Sequence, residues 1–125
     1  MIVLDYRDKR PLYEQVCEKL THLIVNGVLQ PDEKLPSVRN LAMELSINPN
    51  TIQRAYAMLE QDGYIYVITG RGNFVAQPSA WQNGHLTTAR QDLEAALTQA
   101  KNDGLTRENV LSIVDEIFEK GGQLE

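Results

Sequence analysis

The strongest constraint on the fold of this chain is a short break, Ser46-Ile47-Asn48, between two helical sequence patterns. Before the break, from Ser37 to about Leu45, apolar residues recur on one helical face, at Val38, Leu41, Ala42 and Leu45. After it, Asn48 is suited to cap a second helix, and Pro49 to take its first position, where a missing N–H has no cost. Two short helices joined by so tight a turn predict a helix-turn-helix.

The second helix of this motif has a polar outer face. Its inward positions are apolar or aromatic, namely Ile52, Ala55, Tyr56 and Leu59. In a helix-turn-helix the second helix enters the DNA major groove with its N-terminal residues on base edges. Asn and Gln can bind adenine, Arg can bind guanine, and the threonine methyl can contact thymine. We therefore predict DNA contacts from the start of this helix, at Asn48, Asn50, Thr51, Gln53 and Arg54. The alternative is that Asn50 and Thr51 serve only the helix N-terminus.

A β-hairpin is predicted directly after the second helix, which Gly63 ends. Residues 64–68 pair with residues 73–76, and Gly70-Arg71-Gly72 forms the tip, where glycine supplies positive φ. Arg71 projects from this tip, so Arg71 and Gly72 are predicted to lie at the DNA. A nucleotide-binding loop is excluded, because that motif runs into a helix whereas strand residues follow here. The whole stretch predicts a winged helix-turn-helix, mostly α with a small β-hairpin wing.

One more helix is predicted before this stretch, from Pro11 to about Asn26. Its apolar stripe contains Cys17, the single cysteine, which we interpret as a core residue rather than a reactive thiol. Gly27 follows at the position where left-handed geometry ends helices. The apolar–polar alternation of residues 2–6 is compatible with a strand edge.

Several motifs resemble the DNA-binding domain of the GntR family of bacterial transcription regulators. The similarity covers about residues 9–76 and is carried by PLYEQVCEKLTHLIVNGVLQPDEKLPS, LPSVRNLAMEL, NPNTIQRAYAMLEQDGYI and GRGNFV. It implies a homodimeric winged helix-turn-helix repressor on a palindromic operator. It also implies that Arg39 of LPSVR lies at the DNA, whereas a solvated helix charge is the alternative for an isolated arginine. Ser37 could cap its helix or bind a phosphate. Family members carry Pro-Gly where Pro31-Asp32 stands, which leaves the turn type open.

The charge of the chain is low for a protein that binds nucleic acid. Its 125 residues carry 12 Lys or Arg against 17 Asp or Glu, a net charge of −5. Residues 1–78 balance at −1 and residues 79–125 at −4, so most of the excess lies in the tail. A DNA-binding domain usually shows a basic stripe. Affinity is therefore predicted to depend on a few cations, doubled by dimerisation, at Lys9, Arg10, Arg39, Arg54 and Arg71.

The chain divides into a DNA-binding domain, residues 1–78, and a helical segment, residues 79–125. Residues 80–86 are predicted to be a linker. One amphipathic helix then runs from about Leu86 to near Gly104, and a second runs from an N-cap at Thr106 to Gly121-Gly122. Leu105 and Val110 are placed as a hydrophobic staple for the second of these helices. This short tail resembles that of the YtrA-type subfamily of GntR regulators.

The two tail helices are too short to bury their apolar stripes alone. A palindromic operator needs a two-fold protein, and these helices carry the spare apolar surface, so we predict that they form the dimer. The predicted dimerisation residues are Trp81, Leu93, Leu97, Val110, Leu111, Val114, Ile117 and Phe118. The tail is too short for an enclosed effector pocket of the usual kind. If a small-molecule effector exists, its cavity would lie between these helices and the winged helix or at the dimer seam.

Other classes of function find little support in the sequence. No apolar run approaches 18 residues and the N-terminus lacks signal-peptide architecture, so a cytoplasmic protein with no membrane association is expected. No catalytic constellation or metal-ligand spacing is present, and neither an enzyme nor a cofactor nor a metal is expected. The alternative is a winged-helix module that binds protein, which the neutral balance of residues 1–78 supports. The basic outer face of the second helix argues against it.

Overall fold

The computed structural model describes residues 2–124, and the side chains of residues 2–120. Its helices are α1 (Leu12–Val25), α2 (Val38–Leu45), α3 (Pro49–Gln61), α4 (Gln82–Asn102) and α5 (Arg107–Leu124). The antiparallel strands β1 (Ile65–Ile68) and β2 (Gly72–Val75) form the hairpin, and a 3-10 turn (Pro78–Ala80) precedes α4. The predicted class, mostly helical with a small β wing, is confirmed. The chain forms two compact units, the first ending at Gly84 and the second beginning at His85.

Side-chain caps fix the start of α2 and the start of α3. Ser37 Oγ accepts a 3.1 Å hydrogen bond from the Asn40 N–H at the start of α2. Asn48 Oδ1 accepts a 2.8 Å hydrogen bond from the Asn50 N–H at the start of α3. Ser46 ends α2 in the left-handed conformation, at φ 57°. The helix-turn-helix and both caps are thereby confirmed.

The core of the first unit lies among α1, α2, α3 and the hairpin. The side chains most completely buried there are Val16, Leu20, Leu41, Ile52, Leu59 and Val75. Full burial of such a side chain contributes about 1.5–3 kcal/mol, so this cluster dominates the stability of the unit. At its edge the Tyr56 hydroxyl donates a 2.8 Å hydrogen bond to the Pro36 carbonyl. This bond joins α3 to the entrance of α2 and helps to fix the outer face of α3.

The N-terminal segment contributes Ile2 to the core without forming a strand. Residues 2–5 have no regular secondary structure, although Ile2 belongs to the core. The side-chain amide of Gln15, only 2% exposed, accepts from the Asp5 N–H at 2.9 Å and donates to the Asp5 carbonyl at 3.0 Å. It thereby satisfies the backbone groups that a partner strand would otherwise pair. Pro11 is the N-cap of α1, with extended ψ of 148°, and not its first helical residue.

A short extended segment, residues 33–35, follows the turn at Asp32 and pairs with β2. The Leu35 N–H donates to the Asn73 carbonyl at 2.9 Å, and the Val75 N–H donates to the Glu33 carbonyl at 2.9 Å. Lys34 forms an isolated bridge with Phe74. The hairpin is therefore also paired, through β2, with the segment that leads into α2.

Asp32, directly before this segment, adopts the left-handed conformation, at φ 69°. The same geometry suits the glycine of the family's Pro-Gly, so Asp32 preserves the turn at a higher backbone cost. Its carboxylate accepts a 2.7 Å hydrogen bond from the Tyr66 hydroxyl and a 3.2 Å one from the Gln77 amide. Tyr66 also stacks on Phe74, with ring centroids 5.6 Å apart. These bonds join the turn to both sides of the hairpin.

The predicted linker, residues 80–86, is ordered and mostly helical, since α4 begins at Gln82. Trp81 is only 8% exposed and lies in the core cluster, its ring centroid 5.5 Å from that of Tyr64. Because a side chain buried within its own unit offers little surface to a second chain, the burial of Trp81 argues against its predicted dimerisation role. The boundary between the units, Gly84 to His85, lies within α4.

The second unit contains the rest of α4 and α5. Thr106 caps α5 as predicted: its Oγ1 accepts from the Asn109 N–H at 3.1 Å, and Asn109 Oδ1 accepts from the Thr106 N–H at 3.0 Å. Helix α5 continues to Leu124, past the predicted stop at Gly121-Gly122. Glycine permits a helix end but does not force one. Within residues 2–124, no helix is long and apolar enough to cross a membrane.

Candidate nucleic-acid interface

The outer face of α3 is polar and open to solvent. Ile52 and Ala55 are fully buried and point this helix into the core. On the opposite side Asn50, Gln53 and Arg54 are exposed, and Thr51 is half-buried. Asn48 is also exposed, but its side-chain oxygen is used by the cap. The structure therefore brings the predicted base-reading residues together on the first turns of one helix.

A polar groove lies between α3 and the hairpin. Its volume is about 520 Å³, and it is lined by Gln53, Tyr56, Ala57, Glu60, Val67, Thr69 and Asn73. Sequence reasoning missed the contribution of Glu60 and Thr69. The signal for Glu60 was its helical spacing from Gln53 and Ala57, which places the three on one flank of α3. Asn and Gln can bind adenine edges, and a glutamate can accept from the cytosine amino group, so this groove has the chemistry of base recognition.

Arg54 lies on the other flank of α3, against α1. Its guanidinium carbon is 3.8 Å from the centroid of the Tyr13 ring. This is a cation–π contact between residues distant in sequence, and no local pattern could have predicted it.

Arg10, predicted as a DNA-contacting cation, is occupied by carboxylates. Its guanidinium pairs with Asp8 at 2.8 Å and also with Glu18. These pairs raise the pKa of Arg10 above its usual value, chiefly through the hydrogen bonds that it donates to Asp8 and then through that to Glu18. The same bonds lower the pKa of both carboxyl groups. Arg10 is thus not the available cation that the sequence predicts, whereas neighbouring Lys9 is exposed.

The remaining predicted contacts lie on α2 and the wing. Arg39 is exposed on the first turn of α2. Ser37 caps that helix by accepting a hydrogen bond, which leaves its own hydroxyl proton able to donate. Arg71 is exposed at the hairpin tip, whereas Gly72 lies in β2, paired with Ile68.

Gly72 has a backbone role in the wing. Its φ is 126°, and a β-carbon there would lie 3.0 Å from Cε of Lys34. Lys34 is itself exposed, so the structure adds a second cation beside the wing that sequence reasoning overlooked.

The second unit exposes a large apolar surface in the single chain. Val110 is half-buried, but the other predicted dimerisation residues of α4 and α5 are 39–77% exposed: Leu93, Leu97, Leu111, Val114, Ile117 and Phe118. A cavity of about 310 Å³ in this unit is lined by Leu97, Lys101, Leu105, Thr106, Arg107, Val110 and Leu111. Large exposed apolar patches are typical of interaction sites.

A helix-turn-helix with a polar outer face, followed by a hairpin with a basic tip, defines the winged-helix class of DNA-binding proteins. The family model described as "Bacterial regulatory proteins, gntR family" matches residues 12–75. The HTH-type transcriptional repressor YtrA of Bacillus subtilis (strain 168) is 34% identical over 127 residues, 98% of each chain. The HTH-type transcriptional repressor NagR of the same organism is 38% identical over 96 residues, 77% of this chain and 37% of its own. The chain belongs to the GntR family.

Solved structures agree with this assignment. A GntR family transcriptional regulator from Listeria monocytogenes has a TM-score of 0.77 and 32% identity, covering 90% of this chain and 98% of its own. A transcriptional antiterminator from Listeria monocytogenes EGD-e has a TM-score of 0.78 and 30% identity, covering 94% and 89%. The AraR DNA-binding domain in complex with operator ORE1 has a TM-score of 0.53 and 32% identity, covering 61% and 93%. This chain is accordingly a DNA-binding transcription regulator, and its relatives are regulators rather than enzymes.

Proposed function

We propose that this chain represses transcription as a homodimer bound to a palindromic operator. The observation that carries the proposal is the polar outer face of α3, held beside the groove that leads to the wing. In each protomer, Asn50 and Gln53 would contact base edges in the major groove. Arg39 and Arg54 would contact bases or phosphates, and Arg71 would reach the neighbouring backbone or minor groove.

The dimer is proposed from the second unit. Ile117 and Phe118 are 62% and 77% exposed in the single chain, and the other apolar residues of α4 and α5 are mostly exposed as well. A second copy would cover this surface and provide the two-fold symmetry that a palindrome requires. The repressor names of YtrA and NagR favour repression over activation. A regulator of this kind acts on chromosomal DNA, so we also propose a cytoplasmic location.

We also propose that a small-molecule effector binds the second unit. The cavity of about 310 Å³ in the second unit has apolar walls and two cations, Lys101 and Arg107, among its lining residues. This combination suits a small apolar molecule that carries a negative charge. An effector bound there would contact Leu97 and Leu111, two proposed dimer residues, and would change the stability of the dimer.

The proposal is tested by selecting duplexes from a random library and titrating the protein against a selected duplex at two salt concentrations. A scrambled duplex of the same composition is the control. We expect tight, sequence-dependent binding by two protomers, with affinity that falls as salt rises because phosphate counterions are displaced. A stoichiometry of one protomer per duplex would reject the proposed dimer but not specific DNA binding. Equal affinity for selected and scrambled duplexes would reject specific DNA binding and favour a protein-binding winged helix.

A further inference from the structure

Tyr13 on α1 supports an arginine of the proposed DNA-reading face. The Arg54 guanidinium carbon lies 3.8 Å from the centroid of the Tyr13 ring. Tyr13 is half-buried and packs against the core cluster, whereas Arg54 is exposed. The ring is therefore held by the fold, and the guanidinium lies on it at the surface.

Stacking leaves the hydrogen-bond donors of Arg54 available. The five N–H groups of a guanidinium lie in its plane, at the edge, whereas a cation–π contact uses its face. No side chain among residues 2–120 accepts a hydrogen bond from Arg54. Arg10 is the contrasting case, because Asp8 and Glu18 occupy its donors. Arg54 is thus held in place while it can still donate to another molecule.

We propose that Tyr13 is a positioning residue for DNA recognition, which holds Arg54 in the orientation in which its donors meet a phosphate or a base edge. The inference rests on the proposed function of the α3 face. A mobile arginine loses rotamer freedom when it binds, and a residue that orders it beforehand reduces that loss. Removal of the ring therefore weakens DNA binding although no charge is lost.

A double-mutant cycle tests the proposal with a duplex selected by the wild-type protein. We expect Tyr13→Leu to weaken binding about three- to tenfold, the range of a partly desolvated cation–π contact. Tyr13→Phe keeps the ring and should bind as the wild type does. In the Arg54→Ala background, Tyr13→Leu should have no further effect, because the two residues act as one unit. Leu12→Ala, at the adjacent half-buried position of α1, is the packing control and should act equally in both backgrounds.

A second measurement needs no DNA. In the free wild-type protein, 15N relaxation of the arginine Nε–H groups should show Arg54 more ordered than Arg71, which is exposed at the hairpin tip. In Tyr13→Leu the Arg54 side chain should become as mobile as Arg71. This comparison separates loss of order from loss of the fold.

Several results would overturn the proposal. Weakened DNA binding by Tyr13→Phe would show that the Tyr13 hydroxyl has a DNA contact of its own. If Tyr13→Leu weakens binding equally with and without Arg54, the role of Tyr13 is structural. An Arg54 side chain as mobile as Arg71 in the wild type would exclude positioning. If the wild type does not distinguish selected from scrambled DNA, the proposed function fails. The 15N relaxation of Arg54 in the free protein then still tests whether Tyr13 orders this side chain.

Discussion

A β-carbon added to Gly63 would lie 2.6 Å from the carbonyl oxygen of Ala80. Gly63 follows α3 and has a φ of 85°, and Ala80 ends the 3-10 turn before α4. The end of α3 and the approach to α4 therefore meet backbone to backbone. Only glycine fits this contact without a shift of one segment.

Gly63→Ala should consequently destabilise the first unit by more than a positive φ alone explains. The left-handed backbone costs an alanine about 1–2 kcal/mol, and overlap with the Ala80 carbonyl adds to it. Gly70→Ala is the matched control, since Gly70 has a φ of 80° and nothing lies within 4 Å of its added β-carbon. Urea unfolding of both variants measures the difference, and equal losses of stability would show that the close approach relaxes at no cost.

Neutralising Arg10 and neutralising Arg71 should have different effects on DNA binding. The Arg10 guanidinium is paired with Asp8 and Glu18, whereas Arg71 is exposed at the wing tip. Arg71→Gln should reduce the slope of log affinity against log salt by about one, as expected for one lost phosphate contact. Arg10→Gln should leave that slope almost unchanged. A slope that is reduced by Arg10→Gln and not by Arg71→Gln would show that DNA displaces the carboxylates from Arg10.

The first unit should lose stability at alkaline pH through Tyr56. Burial raises the pKa of Tyr56 to about 12, with a smaller contribution from Glu44. A raised folded-state pKa stabilises the fold below the unfolded value of about 10, and this contribution is lost as pH rises through the folded value. The loss is on the order of 2–3 kcal/mol.

Tyr56→Phe is the matched control for this pH dependence. It lacks the titrating hydroxyl, so its stability should not fall by this amount between pH 10 and 12. At neutral pH it should be less stable by about 1 kcal/mol, because the hydrogen bond to the Pro36 carbonyl is lost. Urea unfolding at pH 8 and at pH 12 measures both effects. Parallel losses in the two proteins would assign the alkaline effect to other groups.

A charge on the apolar surface of α5 should dissociate the proposed dimer. Ile117 is 62% exposed in the single chain, and Ile117→Asp would bury a carboxylate against a second copy. Ser112→Asp introduces the same charge at an exposed position of the same helix and serves as the control. Sedimentation should show a monomer for Ile117→Asp and a dimer for the control. A dimer in both variants would place the interface elsewhere.

The features that could be predicted from sequence are those with local signals. The caps at Ser37 and Asn48 follow from residue type and position, and the hairpin follows from its glycines. The linker prediction failed because Pro78 and Gly84 are both turn formers, although Gly84 lies inside α4. The predicted helix end at Gly121-Gly122 was wrong for the same reason, since α5 continues past these glycines.

Contacts between distant residues left no periodic signal. The Lys34 bridge to Phe74 and the Arg54 contact with Tyr13 depend on how α1, α3 and the hairpin pack. The pairing of Arg10 with Glu18 was missed for a related reason, since the two side chains meet only when the chain turns into α1. The sequence therefore predicted which face of α3 is exposed, but not which nearby cations are available to contact DNA.

The burial of Trp81 gives this chain a built-in optical probe. It is the single tryptophan of the sequence, and it lies in the core of the first unit against Tyr64. Its fluorescence reports the melting of that unit, while far-UV circular dichroism records α4 and α5 as well. A mismatch between the two melting curves then measures how far the two units unfold independently, with no label and no substitution.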